Sequence, residues 1–213
     1  NLYSISITKK NNNIMPSPEE ILNGLALAAN KFTWLSIAWH IISLIIVVLL
    51  VSGRKFNKKV VSAGLAIFLL SVGIVAVLSH NPFNGIMFAL AALLSGIYTL
   101  KFKKEQTGVR WDSFTVIGLI MFIFGFVYPH FLDKDGFIHY LYSSPMGLIP
   151  CPTLSAFIGI TLMLGGFNSR RWMITGAIFG LFYGIFGVLR LGVYLDIVLI
   201  AGALVLLGYY FKR

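Results

Sequence analysis

The sequence predicts an all-α fold, a polytopic membrane bundle of about seven transmembrane helices. Three observations lead there. The 213 residues are 58% hydrophobic and only 11% charged, whereas a soluble domain carries about 25% charged residues. Mean hydropathy is +0.87. From residue 32 onward, apolar stretches near the roughly 20 residues that a bilayer requires follow one another with short basic or polar connections. Two regions result: an N-terminal extension over 1–31 and a transmembrane domain over 32–213.

Residues 1–14 contain no apolar core of the kind a signal peptide has. Met15 is a candidate native start, and a start upstream of it is the alternative. Residues 17–31 read as a short interfacial helix. Ser17 suits the N-cap, Pro18 the first helical position, and Glu19 and Glu20 the first turn. Ile21, Leu22, Leu25, Ala28 and Ala29 share one apolar face. The alternative is a plain extension of the first span.

The spans read as 32–52, 60–79, 84–100, 113–132, 145–167, 172–189 and 193–211. Arg54, Lys55, Lys58 and Lys59 lie in the first connection, Lys101, Lys103, Lys104 and Arg110 in the third, and Arg170 and Arg171 in the fifth. Lys212 and Arg213 end the chain. Seven spans put all four groups on one side. They hold twelve of the seventeen basic residues, which makes that side cytoplasmic and the N-terminus external. The same placement accounts for the net charge of +10 without a nucleic-acid partner. The lipid bilayer is the partner the composition requires. Trp34, Trp111 and Trp172 fall near span ends, where an aromatic belt forms. Gly176, Gly180 and Gly184 recur every four residues and make a smooth helix face, either for internal packing or for a homodimer or partner helix.

The polar residues sort to the outer half under this topology: His80, His130, His139, Cys151, Arg190 and Asp196. The densest local signal is Pro145-Met-Gly-Leu-Ile-Pro150-Cys151-Pro152-Thr153. Three prolines in so short a stretch predict a broken helix with carbonyls freed from their partners. Cys151 then sits on irregular backbone among them. Soft thiolate and thioether ligands suit Cu(I) and similar metals, so Cys151, Met146, His130 and His139 form a candidate site for a soft transition metal. The competing reading is a buried cysteine that packs as a small hydrophobe, and one cysteine rules out an intramolecular disulfide. His40 falls inside the first span, as a neutral group bonded to a neighbouring helix or as a functional one. Asp196 needs a partner. Arg190 is near in sequence, and a structural bridge between them competes with a proton- or cation-responsive role.

Several classes are excluded. The last span has no lysine before Lys212 for a retinal Schiff base. Only His40 lies well inside a span, too few for a di-haem cytochrome. The chain has no nucleotide-binding loop, no HExxH and no CxxC.

Tyr128-Pro129, followed by the loop and the Pro145–Thr153 stretch, resembles an uncharacterised family of bacterial multi-pass inner-membrane proteins. Gly147, Pro150, Cys151, Pro152 and Thr153 match the short segment that opens a central span in that family. The region from Asn30 to Trp34 is similar to its start, while Leu154 stands where a second threonine is frequent. The resemblance implies a multi-pass protein of a bacterial inner membrane. The family is a domain of unknown function, so it implies no activity.

The leading functional expectation is binding or transport of a small solute or metal ion at an outward-facing site around Pro150, Cys151 and Thr153, with Asp196 and Arg190 nearby. The alternatives are a non-catalytic scaffold or accessory subunit, and a membrane-embedded enzyme acting on lipid or quinone through His80, His130 or His139.

Overall fold

A computed structural model describes residues 16–133 and 136–212. The expectations for residues 1–14, Met15 and Arg213 lie outside the described residues. The helices are α1 (Pro18–Lys31), α2 (Thr33–Val51), α3 (Lys58–Leu78), α4 (Pro82–Lys101), α5 (Ser113–Val127), α6 (Tyr140–Ser143), α7 (Pro150–Met163), α8 (Arg170–Leu191) and α9 (Ile197–Lys212). Among the described residues, five helical segments are long and apolar enough to cross a bilayer: α2, α3, α4, α8 and Tyr194–Lys212. The chain is therefore an all-helical protein with multiple candidate membrane spans. α5 and α7 are apolar but have only 15 and 14 residues.

α1 starts as its sequence requires. Ser17 and Glu20 form a reciprocal capping box, with Pro18 in the first turn. It is a helix distinct from α2, separated from it at Phe32.

α7 is the central element. Every one of its residues except Cys151 is buried. The surrounding helices turn apolar side chains outward instead: Ile41, Ile67, Ile74, Leu93, Ile178 and Leu204 are all exposed. This is the inverse of a soluble protein, and it suits a lipid surround. α7 lies closest to α5. A Cβ at Gly118 would come within 2.6 Å of the Gly159 carbonyl oxygen, and one at Gly159 within 2.6 Å of the Phe122 nitrogen. A Cβ at Gly125 would overlap the Pro152 carbonyl. Glycine lets the two backbones touch at both ends of the pair, as small residues do between membrane helices.

The basic connections gather at one end. β1 (Phe56–Asn57) pairs antiparallel with β2 (Gln106–Thr107), Phe56 opposite Thr107. Lys58 Nζ lies over the Phe102 ring, which stacks on Phe167. Arg170 lies over Tyr210, and Lys212 over Phe114.

Several sequence expectations are corrected. Pro150 and Pro152 do not break a helix. They occupy the first turn of α7, where backbone N–H groups have no intrahelical partner to lose. Cys151 is therefore on helical backbone, and only the stretch before Pro150 is irregular. Trp172 is not in an interfacial belt. It is buried, stacked on Phe157, and its Nε1 donates to Thr161 Oγ1 at 3.1 Å. Trp34 and Trp111 are exposed. The glycine face of α8 is filled from within: Gly176 meets Phe157 and Leu206, Gly180 meets Ile158 and Ala203, and Gly184 meets Ile200. These contacts fit the internal-packing reading of that face.

Candidate functional site

Three segments converge at the end of the bundle opposite the basic connections. Pro129 disfavours helical backbone at the residue before it, and α5 stops so that Tyr128 turns inward in a non-helical conformation (φ −29°, ψ 103°). α7 begins there with Cys151 in its first turn. α8 ends at Gly192, left-handed at φ +69°. The chain then reverses, and the short 3-10 turn Tyr194–Asp196 carries Asp196 back over α8.

The Asp196 carboxyl is 1% exposed. Its Oδ1 accepts from the Tyr128 hydroxyl at 2.8 Å, and its Oδ2 accepts from the Cys151 thiol at 3.1 Å. Gly187 of α8 forms the floor: a Cβ there would overlap Asp196 Oδ2, so no larger residue leaves the carboxyl in place. One turn earlier on α8, Tyr183 donates to Asn84 Oδ1 of α4 at 2.9 Å. A crevice of about 10 Å³, room for about one water, lies beneath α1, lined in part by Leu25, Ala28, Ser79, Asn84 and Pro150. Ser79 Oγ is buried without a partner.

The expected Arg190–Asp196 bridge is not made. Arg190 Nη2 donates to the Pro16 carbonyl at 3.3 Å and ties down the start of α1. The other end of α1 is held by Asn30, which donates to the Phe131 carbonyl at 2.9 Å and accepts from the Asp133 N–H at 3.1 Å.

In the irregular stretch before α7, carbonyls released from helix pairing are taken up by side chains. Hydroxyls cover three of them. Ser36 donates to Ser144 O, Ser71 to Gly147 O, and Thr153 to Ile149 O. Trp39 Nε1 donates in turn to Ser71 Oγ at 2.9 Å, and the Gly147 N–H donates to Thr153 Oγ1 at 2.8 Å. Thr153 is thus a bridge within the backbone break. Buried backbone polar groups need partners, and serines on α2 and α3 supply them.

Of the predicted site residues, Cys151 and Asp196 are brought together. Pro150, next to Cys151 in the chain, and Met146, five residues before Cys151, are both buried. His130 lies against Phe131, with its ring centroid 6.5 Å from that of Tyr128. His139 stands apart at the loop and bonds Tyr142 Oη at 2.5 Å. Among the described residues, no three His, Cys, Asp or Glu side chains are grouped to hold a metal ion. His40 bonds a neighbouring helix: its Nε2 is 2.8 Å from the Phe126 carbonyl at the end of α5. The carboxyl's partner missed by sequence reasoning is Tyr128. Its one signal was the Tyr-Pro pair at the end of a predicted span.

No family model, no curated protein and no solved structure matches the chain.

Proposed function

We propose that this is a seven-crossing protein of a bacterial inner membrane, related to the uncharacterised family that shares its Pro-Cys-Pro-Thr segment. In this reading it binds or transports a small solute or transition-metal ion at the Asp196–Cys151–Tyr128 cluster. The observation that carries it is Asp196 itself. A carboxyl so deeply buried at the end of a membrane bundle is expensive and is a functional group by default. Here it accepts from a phenol and a thiol, and among the described residues no cationic side chain is shown paired with it. Cys151 Sγ and Asp196 Oδ2 are two donors with the spacing and chemistry to share one cation.

The seven-crossing reading is supported by the places where the short helices end. α5 starts beside Lys212 at the basic end and stops at Tyr128 beside Asp196. α7 packs along it between the same two ends. Non-helical backbone at membrane depth is tolerated where protein buries it, as it does before Pro150. The positive-inside rule makes the basic end cytoplasmic and the cluster outward-facing.

The test is bound-metal content of protein purified in mild detergent after exposure to Cu(I), Zn(II) and Hg(II), beside Cys151→Ser and Asp196→Asn. Roughly stoichiometric metal in the parent, lost in Cys151→Ser and weakened at least tenfold in Asp196→Asn, is the expected result. Equal, negligible metal in all three would remove the metal ion and leave a small solute as the cargo.

A further inference from the structure

The first and third basic connections, distant in sequence, are drawn into one clamp by the β1–β2 pair and by the Lys58 N–H donating to the Glu105 carbonyl at 2.8 Å. The clamp carries six exposed cations: Arg54, Lys55, Lys101, Lys103, Lys104 and Arg110. Among the described residues none of the six side chains is in an ion pair or a hydrogen bond, and the two acidic residues of the same connection, Glu105 and Asp112, leave the surface strongly positive, Asp112 being occupied as the N-cap of α5. Six exposed cations on two connections joined by a strand pair make a surface of one sign, and such a surface attracts an external anion.

Its position says which anion. The clamp joins the ends of α2, α3 and α4, three helices apolar enough to cross a bilayer. Leu100, next to Lys101, is 77% exposed, and Trp111, next to Arg110, is 61% exposed. Apolar and indole surface next to unpaired lysines is the pattern of the headgroup layer, where an aromatic ring sits at the boundary and a basic group meets phosphate. A polyanion arriving from water would have no use for the exposed leucine.

We propose that this clamp binds the headgroups of anionic phospholipids, and that headgroup phosphates neutralise Lys101, Lys103 and Lys104. The proposal depends on the membrane setting of the helices but not on any cargo at Asp196.

The experiment is lipid retention by native mass spectrometry, with phosphatidylglycerol and phosphatidylcholine offered at equal concentration to protein in detergent. The parent is expected to retain phosphatidylglycerol preferentially. Replacing Lys101, Lys103 and Lys104 with glutamine should reduce that preference by roughly 10²-fold, at about fivefold per cation. Lys31→Gln at the other end should leave the preference unchanged. Helix content and melting in phosphatidylcholine alone show whether the triple variant remains folded. If it does not, Lys55→Gln combined with Arg54→Gln makes the same test. Equal retention of the two lipids by the parent would overturn the proposal, as would an unchanged preference in folded variants. Inorganic phosphate displacing the lipid at equal concentration would also overturn it, because the surface would then be a site for free anions.

Discussion

Gly159→Ala is expected to destabilise the protein by about 3 kcal/mol, the upper range for forcing extra volume into a packed interior. The new methyl would lie 2.6 Å from the Phe122 nitrogen and 3.0 Å from its Cα, and both are backbone atoms that cannot rotate away. α5 and α7 would have to separate. The damage would spread, because α7 also packs against α3, α8 and α9. Gly96→Ala is the matched control. It lies in α4 with open space around it, and alanine is the better helix former. The midpoint of thermal unfolding in detergent should fall by many degrees for Gly159→Ala and hold or rise for Gly96→Ala. Equal midpoints would mean that the two backbones do not touch.

Gly187→Ala should strike the site as strongly as Gly159→Ala strikes the fold. Its methyl would take the place of Asp196 Oδ2, so the carboxyl must leave. Tyr128 Oη and Cys151 Sγ would then be buried without an acceptor. A lost buried hydrogen-bond partner costs about 1–3 kcal/mol, so a loss of about 2–4 kcal/mol is expected once the steric clash is included. Cys151, released from Asp196, should react faster with a small maleimide. A variant that melts like the parent, with Cys151 reactivity unchanged, would show that the carboxyl does not rest on Gly187.

These two glycines also show where sequence reading stops. The long apolar runs of α2, α3, α4, α8 and α9 were legible because hydropathy over about 20 residues is a one-dimensional signal. α5 and α7 were read too long, because hydropathy does not register a backbone that leaves the helix at Tyr128 or enters it only at Pro150. The prolines were misread for a related reason. Proline is forbidden in a helix interior and welcome in the first turn, and the difference lies in a boundary that composition does not mark. The i, i+4 series Gly176, Gly180 and Gly184 was visible, but its partners are on α7 and α9. Cys151 and Asp196 were each conspicuous alone. Their pairing across 45 residues, and that of Asp196 with Tyr128 across 68, exists only after the helices pack. Arg190 was the nearest charge in sequence, but it serves α1 instead.

In the proposed seven-crossing arrangement, α5 and α7 cross the bilayer and the Asp196 cluster lies on the face opposite the basic clamp. The chain has one cysteine, so Cys151→Ser is a clean background for single cysteines at Gly108, Asp133, Asn168 and Gly192. A membrane-impermeant maleimide applied to intact bacteria should label Asp133→Cys and Gly192→Cys. It should reach Gly108→Cys and Asn168→Cys only after the membrane is opened. Labelling of Gly108→Cys and Asp133→Cys from the same side would contradict the account, because α5 would then not cross.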